Sequence, residues 1–125
     1  MSVKRILLAL TLLCLCACGA KEMKIENKGK EAVKLEYLRR YEYGADYECE
    51  DKQIIRDLLE LIENLKIGNK SDIMTEDYTD ILIFTYEDGT KETFEFEADN
   101  IVIDNTRYEV SGLREIRAIL DQIAD

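Results

Sequence analysis

Histidine is absent from the 125 residues of this chain, and so are proline and tryptophan. The absence of histidine removes the usual general base of serine and cysteine hydrolases and the commonest protein ligand for transition metals. The sequence also contains no glycine-rich loop of the kind that binds phosphate groups. We therefore find no recognisable catalytic set, and we expect a protein that is not an enzyme and carries no cofactor.

Positive charge is scarce as well. The chain has 17 Lys and Arg residues against 27 Asp and Glu, which gives a formal net charge of −10 at pH 7. A body this acidic is repelled by nucleic acid and by anionic lipid head groups. Because nucleic-acid binding needs basic patches, we expect no nucleic-acid partner. Basic proteins, cationic peptides and divalent cations are the partners that this charge permits.

Long apolar runs are also few, and the main one lies at the N-terminus. Lys4 and Arg5 are followed by residues 6–17, which contain no charged residue. This run is too short to cross about 30 Å of hydrocarbon, which takes about 20 helical residues. A short basic start, an apolar segment and small residues at a cleavage point are typical of a secretory signal. We predict a signal peptide over residues 1–17.

The end of this segment reads Leu15-Cys16-Ala17-Cys18 and resembles the lipobox of bacterial lipoproteins. In that family the cysteine after the cut is thioether-linked to a diacylglycerol. The resemblance implies that Cys18 is lipidated and that it anchors the chain to the extracytoplasmic face of the cell membrane. Cys16 is a poorer candidate because Leu15 precedes it, whereas the family favours Gly, Ala or Ser there. Cleavage removes two positive charges and takes the net charge from −10 to −12.

The cysteine content excludes an internal disulfide in the mature chain. Three of the four cysteines lie in or at the end of the signal, which leaves Cys49 without a partner. The neighbours Glu48 and Glu50 disfavour a reactive thiolate at Cys49. Two roles remain open for this residue: a buried or semi-buried small apolar one, and an intermolecular disulfide or mixed-thiol chemistry.

The remaining sequence divides into a tether and one domain. Residues 18–31 are polar and rich in Lys and Glu, and we predict a flexible tether after the lipidated Cys18. Met23 and Ile25 alternate with polar residues, so a short edge strand is the alternative. Residues 32–125 are long enough for a single globular domain with one modest core.

Hydrophobic periodicity predicts the elements of this domain. Alternation predicts strands over residues 33–43, 80–86, 91–97, 101–103 and 107–110, and helical spacing predicts helices over 51–67 and from Leu113 onward. Asp51 and Ser111 are suitable N-caps for the two helices. Asp88-Gly89 and Asp104-Asn105 are typical of tight hairpins.

The resulting order, β-α-β-β-β-β-α, predicts an α+β domain. We expect a mostly antiparallel sheet of about five strands with two helices on one face. This coarse element order and the signal together are similar to small lipoproteins of unknown function in Gram-positive bacteria. No functional motif accompanies that resemblance.

Four tyrosines interleaved with acids form the first candidate site. Tyrosine is enriched at interfaces because it combines a large apolar ring with a polar tip. An exposed strip of this kind favours a basic protein or peptide of the cell envelope, whereas the alternative is that these rings fill the core. The candidate partner-binding residues are Tyr37, Tyr41, Tyr43 and Tyr47.

Two acidic clusters form the second candidate site, because Ca²⁺ prefers carboxylate oxygens. Neither cluster matches the spacing of an EF-hand loop. One contains Glu42, Asp46, Glu48, Glu50 and Asp51, and the weak metal candidates of the other are Asp72, Glu76, Asp77 and Asp80.

We therefore predict a membrane-anchored, extracytoplasmic lipoprotein that acts as a non-catalytic, acidic interaction module. A calcium-binding lipoprotein is the first alternative. A small hydrolase that uses carboxylates or Cys49 is the second.

Overall fold

A computed structural model describes residues 21–40, 44–71 and 79–125 of the chain. The described residues contain eight strands and two helices. The strands are β1 (Lys21–Glu22), β2 (Ala32–Arg40), β3 (Ala45–Cys49), β4 (Lys66–Lys70), β5 (Thr79–Tyr86), β6 (Lys91–Glu97), β7 (Asn100–Ile103) and β8 (Thr106–Ser111). The helices are α1 (Lys52–Glu63) and α2 (Leu113–Ala124).

The strands form one antiparallel sheet in the order β1-β4-β8-β7-β6-β5-β2-β3. The predicted α+β class and the single antiparallel sheet are confirmed. The sheet has more strands than the five expected, because β1, β3 and β4 were not predicted. All three are short, and β4 buries only Ile67, so it lacks the alternation that reveals a strand.

The core lies between one face of the sheet and the two helices. Strands β2, β5 and β6 contribute fully buried side chains to this inner face, among them Leu35, Leu82 and Phe96. Helix α1 buries Ile55, Leu58 and Ile62, and helix α2 buries Leu113, Ile116 and Leu120. The apolar stripe of each helix thus covers the apolar face of the sheet, as the periodicity predicted.

The two helices begin in different ways. The Asp51 carboxylate accepts hydrogen bonds from the backbone N–H groups of Gln53 and Ile54 at 3.0 and 3.2 Å, which confirms the predicted cap of α1. The cap predicted for α2 is wrong, because Ser111 ends strand β8. Gly112 is the N-cap residue instead. Its φ is 104°, a backbone conformation that residues other than glycine rarely adopt.

Both predicted hairpins are present. Asp88 and Gly89 lie in the turn between β5 and β6, where Gly89 has a φ of 86° and the Asp88 carboxylate accepts a hydrogen bond from the Thr90 amide at 3.0 Å. Asp104 and Asn105 both have positive φ between β7 and β8. Two consecutive positive φ values are what a tight two-residue hairpin requires.

The segment expected to be a flexible tether, residues 18–31, is described from Lys21 onward and lies on the domain. Strand β1 pairs with β4, and the side chains of Met23 and Ile25 pack against the hydrophobic core. The Lys28 ammonium forms an ion pair with Glu63 of α1. The fold therefore includes this segment from β1 onward, which leaves three Cα–Cα steps between Cys18 and the sheet. Neither described helix is long and apolar enough to span a bilayer.

Candidate functional site

Strand β3 is an edge of the sheet. It pairs with β2 along one side, from Leu35 opposite Cys49 to Arg39 opposite Ala45, and no other described strand lies beside it. An edge strand offers unpaired backbone N–H and C=O groups to a further strand. Among the described strands, β3 therefore has one side that no other strand covers.

The solvent side of β3 is acidic. Asp46 and Glu48 are exposed and lie on the sheet face opposite the helices, and Glu50 and Asp51 follow at once, also exposed. The Glu48 carboxylate already attracts one cation, the Lys34 ammonium of the neighbouring strand, at 3.3 Å. The hydrogen bond to Glu48 and the negative charge of that carboxylate raise the pKa of Lys34. A carboxylate on the solvent side of β3 thus already pairs with one lysine of the domain itself.

An apolar band continues from this acidic edge across the open face of the sheet. In register, Asp46 lies opposite Leu38, Leu38 opposite Ile81, and Glu95 between Ile81 and Val102. Leu38, Ile81 and Val102 are all half-buried, so their side chains retain contact with solvent. The open face therefore offers apolar contacts beside the carboxylates of β3.

Of the four candidate tyrosines, the structure describes Tyr37 and Tyr47. Tyr37 is fully buried on the inner face of β2, so the core alternative holds for this residue and it cannot contact a partner. Tyr47 on β3 is half-buried, and its ring centroid lies 5.8 Å from that of Tyr37. Tyr41 and Tyr43 lie outside the described residues. Tyr47 is thus the one candidate that the described chain places at the β3 edge.

Of the four metal candidates in the second acidic cluster, the structure describes only Asp80. Asp72, Glu76 and Asp77 lie outside the described residues, as does Glu42 of the first acidic cluster. Asp80 lies on β5 with only 1% of its surface exposed. Within residues 21–40, 44–71 and 79–125, no three cysteine or acidic side chains converge in a way that could hold a metal ion.

Cys49 is half-buried and has a free thiol. It lies opposite Leu35 in the β2–β3 register and packs at the margin of the hydrophobic core. This position matches the semi-buried apolar role. The neighbouring Glu48 and Glu50 are exposed carboxylates.

Sequence reasoning missed a buried polar cluster around Asp80. The Tyr37 hydroxyl donates a hydrogen bond to the Asp80 carboxylate at 2.6 Å, and the Arg39 Nε–H donates to the Tyr37 oxygen at 2.8 Å. The guanidinium of Arg117, on α2, forms an ion pair with Asp80 at 3.7 Å and donates to the Ala98 carbonyl. A buried carboxylate is retained only where such partners compensate its lost hydration.

The same cluster borders a cavity of about 360 Å³ between α2 and the sheet. On its outer side, Arg39 pairs with Asp121 at 2.6 Å and Arg117 with Asp99 at 3.6 Å. The residues meet from β2, β5, the turn after β6 and α2, and the sequence carries no local signal for this convergence. The ion pairs join α2 to the sheet, which is a structural role.

A second buried carboxylate, Glu92 on β6, holds the N-terminal segment. Its oxygens accept hydrogen bonds from the backbone N–H groups of Glu26 and Asn27 at 2.8 and 3.3 Å, and from the Tyr86 hydroxyl at 2.8 Å. Burial raises the pKa of the Tyr86 hydroxyl well above its usual value, and the hydrogen bond to Glu92 adds to that effect. This cluster fixes residues 23–30 on the core.

Comparison with known proteins finds no family model, curated protein or solved structure that matches this chain.

Proposed function

We propose that this chain is a non-catalytic interaction module, anchored through a lipidated Cys18 to the extracytoplasmic face of a bacterial membrane. Its acidic edge strand β3 binds a basic segment of another envelope protein. The observation that carries the proposal is the position of β3, which is paired on one side and exposes Asp46 and Glu48. The sequence from Lys4 to Cys18 supports the anchor through its resemblance to a lipobox.

Strand addition explains how such an edge selects a partner. Backbone hydrogen bonds to the free side of β3 supply affinity, and alternate side chains supply specificity. A partner strand with lysine or arginine at every second position places its cations next to Asp46 and Glu48. Opposite charges in neighbouring strands contribute roughly 0.2–1 kcal/mol for each pair. The half-buried Leu38 and Ile81 provide apolar contacts on the same face.

The net charge of the mature chain favours the same class of partner. With a charge of −12 after cleavage, the domain attracts a basic partner and accelerates its encounter at low ionic strength. The complex is therefore expected to weaken as salt is added, since exposed charges are screened over about 8–10 Å.

The test uses a seven-residue peptide of alternating lysine and valine as the probe. We expect it to shift the amide NMR signals of Ala45–Cys49, with an affinity that falls between 50 and 500 mM NaCl. The variant Asp46→Asn, Glu48→Gln, Glu50→Gln should weaken binding by about tenfold, following the cross-strand pair energies. Asp51 is kept because it caps α1.

A matched control removes the same amount of negative charge elsewhere. Glu60, Glu87 and Glu115 are exposed and lie on α1, in the β5–β6 turn and on α2. Their triple replacement by glutamine should leave peptide binding within about twofold of the original protein, because none of the three lies on β3 or on its neighbour β2, and exposed charges are screened with distance. Equal losses in the two variants would show a non-specific charge effect and would contradict a site at β3.

A further inference from the structure

Positive charge collects at the opposite edge of the sheet from β3. Strand β4 exposes Lys66 and Lys70, and Lys24 is exposed just after β1. Strand β1 pairs with β4, so these three lysines come to the same edge from two distant parts of the sequence. Among the described residues, the ion pairs do not include Lys24, Lys66 or Lys70.

The acidic residues near this edge are fewer. Residues 21–26 and 66–70 contain two, Glu22 and the exposed Glu26 two residues after Lys24, and the next strand, β8, exposes Glu109 beside Gly68. The β3 edge shows the opposite balance, with Asp46, Glu48, Glu50 and Asp51 in the space of six residues. The domain therefore carries a basic edge and an acidic edge, although its net charge is strongly negative.

The basic edge is also the one closest to the proposed anchor. Cys18 precedes Lys21 by three residues, which span about 11 Å at most when extended. Residues 21–31 add nothing to this reach, because β1 is paired with β4 and Glu92 holds Glu26 and Asn27. A lipid on Cys18 therefore keeps the β1–β4 edge within about one Debye length of the head groups.

We infer that the β1–β4 edge docks on anionic lipid head groups and that the acidic β3 edge points away from the membrane. The inference rests on the anchor of the proposed function for its geometry, and on Lys24, Lys66 and Lys70 for its chemistry. Head-group phosphates attract lysines near the surface with roughly a fivefold gain in membrane partitioning for each. This orientation presents β3 to proteins of the envelope, whereas a freely rotating domain would not.

The first test measures orientation in the lipidated protein. The protein is placed in nanodiscs of phosphatidylcholine with about one third phosphatidylglycerol and a trace of gadolinium-chelating lipid. Paramagnetic broadening of amide signals should be strong at Lys66–Lys70 and weak at Ala45–Cys49. Replacing Lys24, Lys66 and Lys70 by glutamine should reduce this difference, while replacing Lys28, Lys52 and Lys91 should preserve it. Strong broadening at β3, or no effect of the first variant, would overturn the inference.

The second test is independent of lipidation. The chain from residue 18 onward, with Cys18→Ala, is mixed with vesicles of the same lipids and separated by flotation at 50 mM NaCl. This chain keeps the whole hydrophobic core, which is built from residues within 23–124. It should float with vesicles containing phosphatidylglycerol and not with phosphatidylcholine alone. The Lys24, Lys66, Lys70 variant should lose roughly 100-fold in partitioning, by the fivefold gain per lysine.

These outcomes separate the two proposals. A protein that is never acylated, or a lysine peptide that ignores β3, would contradict the proposed function. The variant with Lys24, Lys66 and Lys70 replaced and the variant with Lys28, Lys52 and Lys91 replaced are compared by flotation. Equal flotation of the two would contradict membrane docking by the β1–β4 edge, whatever the state of Cys18.

Discussion

The Glu92 side chain holds the N-terminal segment around Glu26 and Asn27 on the domain. It lies on the inner face of β6 with 8% of its surface exposed, where an ionised carboxylate is stable only if its oxygens are hydrogen-bonded. The backbone of Glu26 and Asn27 and the hydroxyl of Tyr86 meet this requirement. The polar segment around Asn27 is therefore part of the fold, because its backbone N–H groups donate hydrogen bonds to the buried Glu92 carboxylate.

Replacing Glu92 by Gln should release this segment. The amide keeps the size of the side chain but exchanges one acceptor oxygen for a donor, which leaves a backbone N–H group unsatisfied at a cost of about 1–3 kcal/mol. Urea unfolding should show this loss of stability, and hydrogen exchange at the amides of Glu26 and Asn27 should accelerate. Glu95→Gln, in the same strand but on the open face, should change stability by less than about 0.5 kcal/mol. Slow exchange at the amides of Glu26 and Asn27 in the Glu92 variant would contradict the role of Glu92 in holding this segment.

At the scale of elements, the sequence predicted the helices and strands that have a regular hydrophobic pattern. It did not predict the short strands whose place depends on pairing with other strands. Helix α1 and strands β5 and β6 follow from their periodicity, and the two hairpins from residues that accept positive φ. The helix ends at Glu63 rather than near residue 67, because Lys66 to Lys70 form strand β4. Five residues with one buried side chain give no pattern, so their place in the sheet depends on contacts with β1 and β8.

The candidate site was predictable to a similar extent. The sequence showed that Asp46, Glu48 and Glu50 form an acidic cluster, but it could not show that they border a free sheet edge. That requires the strand order, in which β3 pairs with β2 alone among the described strands. The Asp80 cluster was invisible for the same reason, since Tyr37, Asp80 and Arg117 come from three elements that meet only in the folded domain.

Helix α2 should depend on its ion pair with the sheet. In Arg117→Met, the Asp80 charge keeps its Tyr37 hydrogen bond but loses a compensating cation. We expect a loss of about 2 kcal/mol, less than for a fully buried pair, because 31% of the Arg117 side chain is exposed. The double variant with Asp80→Asn should be more stable than the sum of the single changes predicts, by about 1 kcal/mol. Arg114→Met, exposed on the same helix, is the control, and strict additivity would refute the coupling.

At the scale of the whole molecule, net charge and charge placement lead to different expectations. A net charge of −10 predicts repulsion from an anionic membrane, whereas the sheet separates basic β1 and β4 from acidic β3. Screening confines each edge to its own surroundings, because exposed charges act over about 8–10 Å at physiological salt. The two proposals are therefore compatible, because each concerns a different edge of the sheet.

The proposed orientation on a membrane, with the β1–β4 edge towards the lipid and β3 away from it, depends on acylation of Cys18. Cells that produce the full chain and grow with labelled palmitate should incorporate the label, and Cys18→Ala should abolish it. Two or more acyl chains at about 0.8 kcal/mol per buried CH₂ hold a protein durably, so the labelled chain should stay in the membrane fraction in 1 M NaCl. Cys16→Ala is the matched control and should retain the label, because Leu15 before it is a poor cleavage position. Label that persists in Cys18→Ala, or a wild-type chain that is released by salt, would contradict the anchor.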